Sequence, residues 1–182
     1  MSEPAVETEV LHEGRFIRMV KRAGWEFVEH HRIRGIAVLV AVTDADELLL
    51  VEQYREPLQR PVLELPAGMV GDRPGEHDEP FEEAARRELI EETGYDAAQL
   101  KRLTAGPYSP GRSNDLYTFF LARGLTRVGE GGGDAHESIV VHAIPLAGMD
   151  EWLSAQEAAG RLVDPKIFAG LYFIGREQAR WA

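Results

Sequence analysis

Cysteine is absent from the 182 residues of the chain, which excludes disulfides and thiolate zinc sites. No apolar run approaches the roughly 18 residues of a transmembrane helix. The first twenty residues carry several Glu and no apolar core of a secretory leader. These absences fit a cytoplasmic protein with no membrane partner. Basic charge is short as well: 20 Lys and Arg stand against 31 Asp and Glu, a net charge of −11. That balance argues against a general nucleic-acid binder. Three catalytic signatures are missing too. The glycine-rich run Gly129 to Asp134 is not followed by Gly-Lys-Ser/Thr, so it is no phosphate-binding P-loop. The six His form no His-Glu-x-x-His pair, and no Gly-x-Ser-x-Gly elbow supports serine hydrolysis. No internal repeat is visible.

What is present suffices for one substantial core, since 44% of the residues are hydrophobic. Residues 1–8 are polar and expected to be disordered. Residues 9–34 read as a small β-sheet, with strands over Phe16–Arg22 and Trp25–His30 about an Ala23-Gly24 turn. So small a sheet needs something to pack on, and another subunit is one candidate. The main domain spans 35–182. Gly35–Thr43 is a continuous apolar strand, buried on both faces by its composition. Strands follow at Glu47–Arg55, Val62–Leu65, Leu100–Ala105, Leu116–Ala122 and Ser138–Pro145, with 57–61 as loop. The glycine-rich run 129–134 reads as a flexible loop. Met149–Gly160 reads as a helix with Asp150 as a plausible cap, and Asp164-Pro165 opens a last one. Ile167, Leu171 and Ile174 give that helix a core stripe. Mixed strands with few helices define an α/β (α+β) class.

The chemistry concentrates between Pro80 and Tyr95. Pro80 suits a first helical turn, Glu82 and Glu83 complement its positive end, and Gly94 suits the C′ stop. At about 100° per residue, Glu88, Glu91 and Glu92 share an arc of roughly 100°. Like charges one turn apart repel, by about 0.2–0.5 kcal/mol in water and more when buried. Arg87 relieves part of this by pairing with Glu91 at i+4, and a hard divalent cation relieves more. From Glu64 to Glu92 there are ten acidic residues against three Arg. An anionic substrate enters such a place only with metal ions, so the acidity favours a metal site.

This spacing resembles the Nudix box: Arg87, Glu88, Leu89, Glu91, Glu92, Gly94 and Tyr95 match its second half, and Glu79 precedes Arg87 by the required interval. Upstream the chain departs. Ten residues separate Gly68 from Glu79 where the pattern has five, which leaves the role of Glu79 open. A longer loop costs little, because closure entropy grows slowly with length. Glu52-Gln53-Tyr54-Arg55, Glu64-Leu65-Pro66-Ala67-Gly68 and Ser109-Pro110-Gly111 look like the ADP-ribose pyrophosphatase branch of the family. Arg112-Ser113-Asn114-Asp115 is less typical of it.

The resemblance implies an α/β/α sandwich with a mixed sheet and an N-terminal sheet that builds a homodimer. It implies Mg²⁺ (with Mn²⁺ as a substitute) and hydrolysis of the pyrophosphate of a nucleotide sugar. ADP-ribose is the first candidate; GDP-mannose, a dinucleotide or a non-catalytic nucleotide-sugar sensor are the alternatives. By the same resemblance Glu88 and Glu92 are metal ligands, completed by the Ala67 carbonyl. Glu91 is a ligand or a partner of Arg87, which orients the acidic cluster. Glu137, Asp134 or Glu91 serves as general base, with Glu137 also near the metals. Arg55 is the first choice for phosphate, with Arg112 beside Pro110 near the pocket and Trp25 or Phe27 available to stack on the base.

Overall fold

The computed structural model describes residues 7–133 and 138–179. Three strands, β1 (Thr8–Glu13), β2 (Ile17–Arg22) and β3 (Trp25–His30), form an antiparallel sheet in that order. The turn between β2 and β3 has Ala23 at φ 50° and Gly24 at φ 84°. Two positive φ values match the right-handed twist of a hairpin. β1 begins at Thr8, inside the stretch expected to be disordered.

The main body carries β4 (Gly35–Ala41), β5 (Glu47–Arg55), β6 (Arg60–Glu64), β7 (Ala67–Val70), α1 (Phe81–Thr93), β8 (Tyr95–Pro107), β9 (Leu116–Arg127), β10 (Ile139–Pro145), α2 (Met149–Ala158), β11 (Leu162–Val163) and α3 (Lys166–Ala179). They form two four-stranded sheets, β7-β4-β9-β8 and β10-β5-β6-β11. Each is mixed: β4 and β9 run parallel in one, β6 and β11 in the other. The single mixed sheet of the expectation is thus two.

The apolar run of β4 is buried on both faces because its alternate residues serve two cores. Ala37, Leu39 and Ala41 pack with Ala84, Ala85 and Leu89 of α1. Val38 and Val40 pack with Met149 and Leu153 of α2 and with Ile167 and Ile174 of α3. The result is helix, sheets, helices. α3 approaches closely at Gly170, where a Cβ would lie 3.2 Å from Leu65. The Asp164 carboxylate accepts from the Lys166 backbone N–H at 2.7 Å, as a helix N-cap does. At α2 the cap is Gly148, and Asp150 falls within the first turn.

Two expectations are corrected. Residues 57–61 are not all loop: β6 starts at Arg60, and Pro61 sits near its start, where a missing N–H is tolerated. The glycine-rich loop is not slack over 129–133. Gly132 N–H donates to the Glu92 carbonyl at 2.8 Å and Gly133 N–H to that of Glu91 at 3.0 Å. Val128 and Gly129 donate to the Gly94 carbonyl at 2.8 and 3.1 Å. A helix C-terminus leaves carbonyls unpaired, and this loop satisfies them. Gly131, at φ 72°, lies so close that a Cβ would meet the Thr93 backbone at 2.5 Å.

Candidate active site

α1 starts after Pro80 and ends at Gly94, whose φ of 76° is the left-handed conformation glycine tolerates. Between them the helix buries Ala84, Ala85 and Leu89 and turns Arg87, Glu88, Glu91 and Glu92 toward β7 and the loop before the helix.

Arg87 is the hub. Its Nε and Nη2 donate to the two oxygens of Glu79 at 2.9 and 3.1 Å. Nη1 donates to Glu88 at 2.5 Å and to Glu91 at 3.2 Å, the second being the expected i+4 pair. Nη2 also reaches the Met69 carbonyl at 3.0 Å and Asp72 at 3.4 Å. One guanidinium, with its side chain only 13% exposed, therefore gathers four carboxylates; its planar fork suits this and a lysine would not. Burial alone would make Arg87 easier to deprotonate; Glu79 and Glu88 outweigh it and hold its pKa above the usual value. Burial likewise pushes the Glu79 carboxyl up, but the bonds from Arg87 and from the Gly71 N–H at 3.0 Å prevail and hold it below its ordinary value. Glu79 thus keeps a place in the cluster despite the longer loop, closing the base of that loop and fixing Arg87 together. Sequence reasoning left this open, although the interval to Arg87 already signalled it. Asp72 and Arg73, both in the inserted stretch, carried no signal.

Glu92 is buried, and one of its oxygens accepts from the Ala67 N–H at 3.0 Å. Glu88 lies directly over Gly68: a Cβ on Gly68 would fall 1.8 Å from the Glu88 Cδ. The glycine that opens the motif is thus the cradle of its first carboxylate. Burial pushes the Glu88 carboxyl up to about 7, against the pull of Arg87, with Glu91 and Asp72 adding repulsion. Arg73 closes the outer side with an ion pair to Glu91.

The donors that converge here are the carboxylates of Glu79, Glu88, Glu91 and Glu92, all oxygen, which is the chemistry Mg²⁺ takes. Among the described residues, no three acidic or imidazole groups stand in an ion-holding arrangement as they are. The oxygens of Glu79, Glu88 and Glu91 rest on arginines instead, and one of Glu92 rests on the Ala67 N–H. The donor set and the Gly68 cradle fit the ion; holding it requires the carboxylates to turn from guanidinium to metal.

A cleft of about 540 Å³ adjoins this cluster, lined by Phe16, His30, His31, Arg32, Met69 and Asp72 among others. Its size falls in the range of small-molecule sites. On the same N-terminal sheet, the exposed Trp25 ring lies beside Gly111, with its Cζ3 3.9 Å from where a Cβ would stand. Trp25 thus lies beside the loop that carries Pro110 and Arg112. The segment that departs from the family pattern is what fastens the sheet to the body. Val28 N–H donates to the Arg112 carbonyl at 2.9 Å, Asn114 donates to Glu29 at 3.1 Å, and His30 and Asp115 pair at 2.9 Å. The Arg55 fork is held by both oxygens of Glu64, at 2.5 and 2.9 Å. Glu137 and its rival Asp134 lie outside the described residues.

The fold and an acidic helix seated on a glycine cradle define a class. The NUDIX domain family matches residues 33–169, and the chain belongs to that family. It is a Nudix hydrolase whose likeness lies with the ADP-ribose pyrophosphatase-like branch. A relative named ADP-ribose pyrophosphatase, from Mycobacterium tuberculosis, is 30% identical over 93% of this chain and 79% of its own length. One named methanol dehydrogenase activator, from Bacillus methanolicus, is 28% identical over 97% of this chain and 95% of its own. A crystal structure titled as an ADP compounds hydrolase superposes with a TM-score of 0.70 at 24% identity, covering 99% of this chain and 96% of that one, a likeness of fold. Among the described residues, no helix is long and apolar enough to cross a membrane.

Proposed function

We propose that the chain hydrolyses the pyrophosphate of a nucleoside diphosphate sugar with Mg²⁺, ADP-ribose first, giving AMP and ribose 5-phosphate. The observation that carries this reading is the carboxylate cluster gathered by Arg87 over the Gly68 cradle, beside a cleft large enough for a nucleotide sugar. Water adds to one phosphorus, the bond from that phosphorus to the bridging oxygen breaks, and the water's proton goes to a carboxylate. Glu91, Asp134 and Glu137 are the candidates for that base. Mg²⁺ held by Glu88, Glu92, the Ala67 carbonyl and Glu91 or Glu137 would lower the water's pKa and screen the phosphates. Arg87 keeps the carboxylates of α1 and the box loop in one place.

Arg55 and Arg112 supply cations for the diphosphate, and Trp25 with Pro110 borders the nucleoside. Pre-orientation of the Arg55 fork by Glu64 supports its part in this. The reading includes a homodimer built through the N-terminal sheet. It also includes a cytoplasmic location, which the cysteine-free composition supports.

The test is turnover of ADP-ribose, GDP-mannose, diadenosine compounds and NADH with Mg²⁺, beside Glu92→Gln. ADP-ribose is expected to lead, and Glu92→Gln to lose at least about 100-fold. A lead by GDP-mannose keeps the mechanism and moves the substrate. Tight binding without turnover would sink the enzymatic reading in favour of a sensor.

A further inference from the structure

The inserted stretch between Gly68 and Glu79 is built, and it delivers one side chain. Its base is closed by the Gly71 N–H to Glu79 at 3.0 Å and by His77 Nδ1 with the Gly71 carbonyl at 3.2 Å. Two turns follow within it, from Glu76 N–H to the Arg73 carbonyl at 3.1 Å and from Glu79 N–H to the Glu76 carbonyl at 2.9 Å. That frame sets Arg73 against Glu91, where Nη2 pairs with Oε1. The other oxygen of Glu91 accepts from Arg87 at 3.2 Å. Each oxygen of Glu91 thus rests on a different guanidinium.

These two arginines are not equivalent. Arg87 is 13% exposed and locked on Glu79, whereas Arg73 is 42% exposed and, among the described residues, forms its ion pair with Glu91, its charge reaching Glu79 at longer range. A cation that claims Glu91 displaces the one held less firmly. We propose that Arg73 is a resident, displaceable counter-ion for Glu91, a positioning residue that divalent metal must evict. The idea rests on the metal-dependent reading above. It assigns the loop extension a purpose: setting how much metal the site needs before Glu91 is released to it.

The test is Mn²⁺ binding to the intact protein without substrate, by the loss of the free-ion magnetic resonance signal. Arg73→Gln is expected to bind Mn²⁺ about 2–5-fold more tightly than the wild type, the worth of an exposed ion pair. Removing any positive charge from an acidic protein tightens cation binding somewhat, so Arg86→Gln is the control. It lies on α1, the helix that carries Glu91, pairs with Asp96 at 2.5 Å and should shift affinity less. In a Glu91→Gln background the effect of Arg73→Gln should vanish. Equal affinities for wild type and Arg73→Gln, a shift matched by Arg86→Gln, or a shift that persists in Glu91→Gln each overturns the proposal and leaves the metal reading standing. No Mn²⁺ binding by the wild type at millimolar concentration overturns both.

Discussion

Glu88 is a carboxylate placed where ionisation is opposed, over a glycine and under a sheet edge. Its pKa of about 7 lies above its ordinary 4.5, so the folded state holds that proton more tightly than the unfolded chain does. The sign follows from linkage: the contribution is full below about 4.5 and is lost as pH rises through about 7. In metal-free buffer, urea midpoints of the wild type should fall relative to those of Glu88→Gln between pH 5 and 8. A difference that stays constant over that range would refute the environment described. Glu79 works the other way: its lowered pKa stabilises above the ordinary value and is lost as pH falls, which is why the comparison is made against the single variant. At this scale the sequence was informative within one helix. The shared arc of Glu88, Glu91 and Glu92 and the Arg87–Glu91 pair follow from helical geometry alone. Glu79, Asp72 and Arg73 reach the same place from a loop, and no periodicity announces that.

Elements were legible where hydrophobicity decides and obscure where pairing decides. The uninterrupted run of β4 suits a doubly buried strand, and the structure makes it one. β8 begins at Tyr95, five residues before the apolar pattern suggests, because Asp96, Ala97 and Gln99 are held by antiparallel pairing with β9 and not by their own propensity. Pro66-Ala67-Gly68 carries no strand pattern of its own, yet Ala67 and Gly68 pair with Val38 and Ala37. Composition misleads most at residues 129–133, four of which are glycine. Gly131→Ala should destabilise the fold by about 1–3 kcal/mol in chemical denaturation, since φ there is 72° and the added carbon meets backbone that cannot rotate away. Gly160→Ala, also at positive φ but with open space around it, should cost less. Equal costs would show that the contact with α1 contributes nothing.

For the whole molecule, the open question is what covers the N-terminal sheet. Val10, Leu11, Phe16, Ile17, Met19 and Trp25 are all exposed on it, an unusual density for a lone soluble sheet of three strands. Sedimentation equilibrium should return the mass of two 20.3 kDa chains, and Ile17→Glu with Met19→Glu should shift it toward one. A monomer at micromolar concentration would contradict the homodimer reading. Val28, Glu29 and His30 are bonded to residues 112–115, which ties that sheet to the loop carrying Pro110.

Helices loosen first at their ends, and the last turn of α1 holds Glu91 and Glu92, two residues of the proposed metal site. Loosening there would scatter Glu91 and Glu92 in the act of unwinding. The glycine loop prevents this through the main chain alone, gripping their carbonyls while leaving their carboxylates to other work. A segment nearly devoid of side chains thus holds the main chain beneath two of the proposed metal ligands. The chemically emptiest stretch of the protein becomes one of the least forgiving of an added atom.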